Sequence, residues 1–215
     1  LELLNDNPPL PGDLKDQRLL EMTRRLPAKV ERLIAEQAGY FRDAYRVYRI
    51  HEEVDYLEET RRLAGHYAVA ADWFEKQARE FRVNSHTDRL FIDKVFNEPA
   101  AMYREYAHTL STNGSNKIGI ILNREQIEDE YARLLALFEV KLEYFERKQY
   151  VNLSHEANKA MNINSYLGLM GGSYCERVRG QDLYLEPAIG QKADLLVPDT
   201  EFVVTLDADS IIAHD

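Results

Sequence analysis

Hydrophobic positions recur along this chain at helical steps over most of its length and at strand steps only near its ends. Leu1-Glu2-Leu3-Leu4 reads as the tail of a strand, ended by the loop Asn5-Asp6-Asn7-Pro8-Pro9. Residues 14–38 carry Leu19, Leu20, Val30, Leu33 and Ile34 at helical spacing. Pro27 divides that stretch into two helices, because proline suits a first turn and breaks an interior. Over 41–82 apolar residues return every three or four positions, from Val54 and Leu57 to Ala78 and Phe81, opposite a face of Arg and Glu. A break is expected near Val83-Asn84-Ser85, then helix over 86–110 with a restart at Pro99.

The stretch 111–116 is a loop by composition, and Lys117–Leu122 a short strand or buried turn. A helix is expected over 124–148, with Ile127, Tyr131, Leu134, Leu135, Phe138, Leu142 and Phe145 on one side. A strand at 150–153, a helix over 159–171 ending at Gly171-Gly172, and a turn-rich stretch over 173–199 follow. Phe202-Val203-Val204-Thr205-Leu206 reads as a buried strand, over 201–206. Strands alternating with helices imply an α/β fold whose sheet is mostly parallel, with helix dominating. The long helical segment exceeds one crossover and reads as an insertion. Three parts result: 1–13, the helical insertion 14–112, and 113–215.

Composition narrows the function classes. The chain has 215 residues, 45% hydrophobic and 30% charged, which fits a globular protein. Its formal net charge of -10 argues against nucleic-acid or anionic-membrane binding. One cysteine, Cys175, permits no internal disulfide and fits a reducing compartment. No apolar run reaches the ~20 residues of a membrane span, so any membrane attachment is expected outside the sequence. Trp73 and most tyrosines fall at helix-packing positions, and the Glu and Arg runs near 52–62 read as a solvated helix face. His51, His66, His86 and His108 lack metal-ligand spacing, while His155 and His214 lie near the groups considered next.

The chemistry concentrates in two places. Asp207-Ala208-Asp209 follows the last expected strand. In an extended chain both carboxylates face one way, about 6–7 Å apart, at the strand end where open α/β sheets bind ligands. Hard cations such as Mg²⁺ or Mn²⁺ take such oxygen ligands together with a diphosphate. Upstream, Lys159, Asn162 and Asn164 surround the expected start of a helix, where phosphate is favoured.

Lys159-Ala160-Met161-Asn162-Ile163-Asn164, a helix, and then a strand ending in Asp-Ala-Asp resemble the family 2 glycosyltransferases of the GT-A fold, nearest to the cellulose-synthase-like branch. Leu3-Leu4-Asn5-Asp6-Asn7-Pro8-Pro9 is similar to that family's early acidic motif, with Asn7 in the second acidic place. Met161 stands where the family has glycine. The resemblance covers roughly 1–10 and 145–215 and implies a partial GT-A nucleotide-binding sheet. It further implies that Asp6 contacts the base or ribose of a nucleotide sugar, a UDP-sugar by preference. Lys159 would meet the diphosphate, Asn162 and Asn164 would shape that loop, Asp207 would touch the ribose or sugar, and Asp209 would ligate Mg²⁺ or Mn²⁺.

The implied activity is inverting transfer of a sugar to a glycan acceptor. The catalytic base is expected beyond Asp215, in the cytosolic domain of a longer membrane-bound parent, so the segment alone should lack turnover. Two other readings stand beside it. VVTLDADSI also resembles the opening motif of haloacid-dehalogenase-type phosphotransferases, with Asp207 as nucleophile. Alternatively, segment 14–112 is a docking module for a partner subunit or a second copy.

Overall fold

The computed structural model describes residues 1–8, 12–51, 53–112, 120–207 and 210. The fold is mixed α/β and 57% helical, so the expected dominance of helix is met. The contacts divide the chain into two compact units. One comprises Leu1–Leu33 and Lys141–Thr205, the other Ile34–Val140 with the residues from Leu206 onward. No helix among the described residues is long and apolar enough to cross a membrane.

The first unit holds strand β1 (Glu2–Asn5), helix α1 (Leu14–Arg24) and the first turns of α2 (Leu26–Ile50). Pro27 lies in the first turn of α2, where its missing N–H costs no helical bond. The unit's later elements are strand β2 (Glu143–Glu146), helix α7 (Lys159–Leu167) and strands β3 (Ser173–Arg179), β4 (Asp182–Pro187) and β5 (Leu195–Leu196). β1 and β2 pair in parallel, with Glu2 opposite Glu143 and Asn5 opposite Glu146. The other strands form an antiparallel sheet in the order β4-β3-β5, turned between β3 and β4 at Gly180, whose φ is 66°. A mostly parallel sheet is therefore not observed. The core here is Phe145, Tyr150, Tyr166, Leu169, Leu185 and Val197, with Leu4 packed against it.

The second unit contains the rest of α2, α3 (Tyr56–Glu80), α4 (His86–Ile92), α5 (Glu98–Ser111) and α6 (Arg124–Ala136). α3 packs chiefly along α5. Helix starts follow their caps: Asp55 accepts from Leu57 N, and Ser85–Asp88 and Asn123–Gln126 form capping boxes. Asp55 caps a new helix start, so the helical stretch expected over 41–82 is shared between α2 and α3. A π-helical turn, Asp93–Asn97, joins α4 to α5 just before Pro99. The wider turn accommodates a proline that has no N–H to give the preceding carbonyls.

Phe41, Leu63, Tyr67, Leu110, Ile127, Leu134 and Phe138 are almost wholly buried in this core. Two buried carboxylates are satisfied by tyrosines. Glu59 accepts from Tyr131 at 2.5 Å, and Glu130 accepts from Tyr106 at 2.8 Å and from Tyr67. Burial and the Glu130 carboxylate push Tyr106 up to about 12.

His66 sits among the rings of Tyr40, Phe41 and Tyr131 and shares a 2.9 Å hydrogen bond with the Tyr40 hydroxyl. Burial lowers its pKa, against a smaller upward pull from Glu59, while Arg62 adds to the lowering. The folded unit therefore protonates His66 less readily than the unfolded chain, which takes up a proton near pH 6.5. Stability should be full above that pH and fall as pH drops towards the folded pKa. Urea midpoints read at steps from about pH 7.5 to 5 should show this slope. His66→Gln should flatten it, and an unchanged slope in that variant would exclude His66 as its source.

Three expected elements are shortened or not formed. The 124–148 helix stops at Ala136, and Glu143–Glu146 is instead strand β2, with Phe145 buried from the sheet. The expected 150–153 strand reduces to one parallel bridge, Tyr150 to Leu183. Residues 202–207 make no strand, leaving Phe202 and Val204 each 81% exposed. The helix expected over 159–171 ends at Leu167, and Gly171, with φ 72°, lies in the turn beyond. Residues 113–119 of the expected loop and strand lie outside the described residues.

Candidate functional site

The C-terminal ends of β1 and β2 carry a dense polar group. β1 ends in Asn5, followed by Asp6, and β2 ends in Glu146, followed by the 3-10 turn Arg147–Gln149. Parallel pairing with Asn5 opposite Glu146 brings both exits to one end of the sheet, where open α/β sheets bind ligands.

Asp6 faces two cations. Arg147 Nη2 donates to Asp6 Oδ1, and Lys148 Nζ lies 3.2 Å from the same oxygen and donates to the Asp6 carbonyl at 2.6 Å. Arg147 is wholly buried, yet the Asp6 side chain keeps 30% of its exposure. Glu146, also buried, accepts from Arg24 Nε and Nη2, each at 2.7 Å, and from Asn5 Nδ2 and Gln149 Nε2. Asn5 Oδ1 accepts from the backbone and side-chain nitrogens of Asn7, at 3.2 and 2.8 Å, which shapes the loop around Asp6.

Helix α7 starts beside this group. Asn158 caps it by accepting from Met161 N at 2.7 Å. Lys159 is its first residue and is exposed. Asn162, one turn on, is buried and donates from Nδ2 to the Leu4 carbonyl at 3.0 Å. Asn164 is exposed, on the same helix. Asn162 Oδ1 and Arg147 Nε are buried polar atoms without a hydrogen-bond partner among the described residues. His155 is held by the Tyr150 carbonyl, 3.1 Å from Nε2.

Asp6, Lys159, Asn162 and Asn164 thus belong to one compact unit, and the Asn162–Leu4 bond ties the helix carrying three of them to the strand before the fourth. Asp207 falls in the other unit, exposed, with its carbonyl accepting from Ser210 N at 3.0 Å. The strand expected to present it is not formed. Asp209 and His214 lie outside the described residues. Carboxylates are the right ligands for Mg²⁺ or Mn²⁺. Among the described residues, however, no group of three or more His, Cys, Asp or Glu side chains is placed to hold a metal.

Sequence reasoning missed Glu146, Arg147 and Lys148. Their run lies within the span 124–148 whose spacing predicts a helix. Four polar residues directly after Tyr144-Phe145 were the available signal, since a strand closing on a charged turn has that form. Compared with known proteins, the chain matches no family model, no curated protein and no solved structure.

Proposed function

We propose that the chain is the donor-binding part of a GT-A glycosyltransferase that moves a sugar, with inversion, from a nucleoside diphosphate sugar to a glycan acceptor. The observation that carries this reading is the Asn162–Leu4 hydrogen bond. It sets the first turn of α7 against the end of β1, so that an acidic group and a lysine at a helix start share one end of a parallel strand pair. A nucleotide needs such a pairing: a carboxylate accepts from the N–H and O–H groups of base and ribose, and a helix start with lysine favours the diphosphate.

In this reading Asp6 accepts from the uracil or ribose, and Lys159 balances the diphosphate. The departing nucleoside diphosphate gains negative charge, and the Lys159 cation stabilises it. Asp207 and Asp209 would hold a divalent ion, whose chemistry when bound is to neutralise phosphate charge. Asn164, exposed two residues beyond Asn162, lies past the first turn of the same helix.

Calorimetric titration of the chain with uridine diphosphate and Mn²⁺ tests the reading. Saturable binding is expected, weakened about tenfold or more by Lys159→Ala, because a hydrogen bond to a charged group contributes ~1.5–3 kcal/mol. Uridine itself should bind both forms alike. Absence of binding by the unsubstituted chain would overturn the reading.

A further inference from the structure

Arg147 is the largest fully buried side chain among the described residues. A buried cation is costly unless its charge and its donors are matched. Its charge is matched by Asp6. Its donors are spent in a particular way. Nη2 reaches both the Asp6 carboxylate and the Glu156 carbonyl, the latter at 2.6 Å, and Nη1 reaches the Ser154 carbonyl. The residue itself belongs to the turn that closes β2. One planar group therefore holds three pieces of chain: the end of β1, the end of β2, and the segment that enters the Asn158 cap and Lys159.

We infer that Arg147 is the positioning residue of this site. It sets the Asp6 carboxylate and the approach to Lys159 relative to each other. Wholly buried, it acts through those groups rather than by touching a ligand. Lys148 supports Asp6 from the side but has no bond to the 154–156 segment among those described, so it cannot replace the link. Lysine at 147 would keep the charge but not the fork, because an ammonium on a flexible stem cannot reproduce the fixed guanidinium geometry at three separated oxygens. The inference rests on the proposed function only for its ligand arm, since the linkage itself concerns the free protein.

The linkage makes an unusual demand. Asp6 shows no bond to Ser154 or Glu156, yet a change at Asp6 should reach that segment through Arg147. Hydrogen exchange followed by mass spectrometry on the full chain reads this directly. In Arg147→Lys, amides of residues 6–7 and 154–158 should exchange about tenfold faster, with α3 and α6 unchanged. In Asp6→Asn, 154–158 should also exchange faster, and the double variant should exceed the larger single effect by little.

The ligand arm is titration with uridine diphosphate. Arg147→Lys should weaken binding about tenfold at a temperature where the variant remains folded. A merely structural arginine would lower the melting temperature and leave the affinity of the folded protein unmoved. Unchanged exchange at 154–158 in both single variants, or fully additive effects in the double variant, would overturn the inference. Should Arg147→Lys not fold, Asp6→Asn alone decides by the same segment. A chain that binds no uridine diphosphate removes the functional reading, and the exchange result still decides the linkage.

Discussion

Replacing Phe138 by alanine lowers the stability of the helical unit by about 3–5 kcal/mol, the range for losing a buried aromatic ring from a packed core. Phe138 is 1% exposed and lies just past the end of α6. Its ring stacks on Phe41 with centroids 5.2 Å apart at 11°, and meets Trp73 edge-on at 5.0 Å and 88°. Phe74 closes the group at 6.0 Å. Removing the ring leaves a void among groups fixed on α2 and α3, which close over it only in part. Domains typically have about 5–15 kcal/mol in hand, so the variant should be marginal. Trp73 is the only tryptophan in the chain and touches the deleted ring, so urea unfolding followed by its fluorescence reports the change directly. A loss below about 1 kcal/mol would show that the aromatic group is not a packed core.

Glu146→Ala should cost about 3 kcal/mol in the unit built on the parallel strands, at the low end for breaking a buried ion pair. Glu146 is 2% exposed and accepts from Arg24, Asn5 and Gln149, so its loss strands donors on α1, on β1 and in the turn after β2. The low end applies because the Arg24 side chain keeps 35% of its exposure and recovers water. Exchange protection of the β1 and β2 amides measures the effect locally. An unchanged protection there, or a loss confined to α1, would contradict a role for Glu146 in joining helix and strands.

Local signals in the sequence were read correctly where local physics decides. Pro27 in a first turn and the break at Val83-Asn84-Ser85 depend on neighbours a few residues away. The first strand was legible for the same reason. β2 was not, because Leu134, Leu135, Phe138, Leu142 and Phe145 keep three- and four-residue spacing straight through the point where the helix ends. No glycine or proline marks that point, and β2 exists only by pairing with β1, distant in sequence. Residues 202–206 are the converse: a strand pattern without a strand partner.

The candidate site divides along the same line. Asp6, Lys159 and Asn162 stand out in the sequence because they sit in recognisable short motifs. Arg147 does not, because a charged residue in a polar run is by default a surface residue. Only the convergence of Asp6, Ser154 and Glu156 on it makes burial tolerable. Burial of a charge depends on partners that a linear pattern does not display.

The uncovered stretch from Phe202 to Leu206 has a consequence for handling the protein. Five uncharged residues rich in β-branched and aromatic side chains have the composition of segments that self-associate between molecules. Glu201 and Asp207 flank them as gatekeepers, and the net charge of -10 keeps molecules apart at low ionic strength. Raising the salt screens that repulsion without covering the apolar stretch. Colloidal stability of the purified chain is therefore set by ionic strength and concentration as well as by its two cores, and dilute low-salt buffer is the condition that favours the monomer.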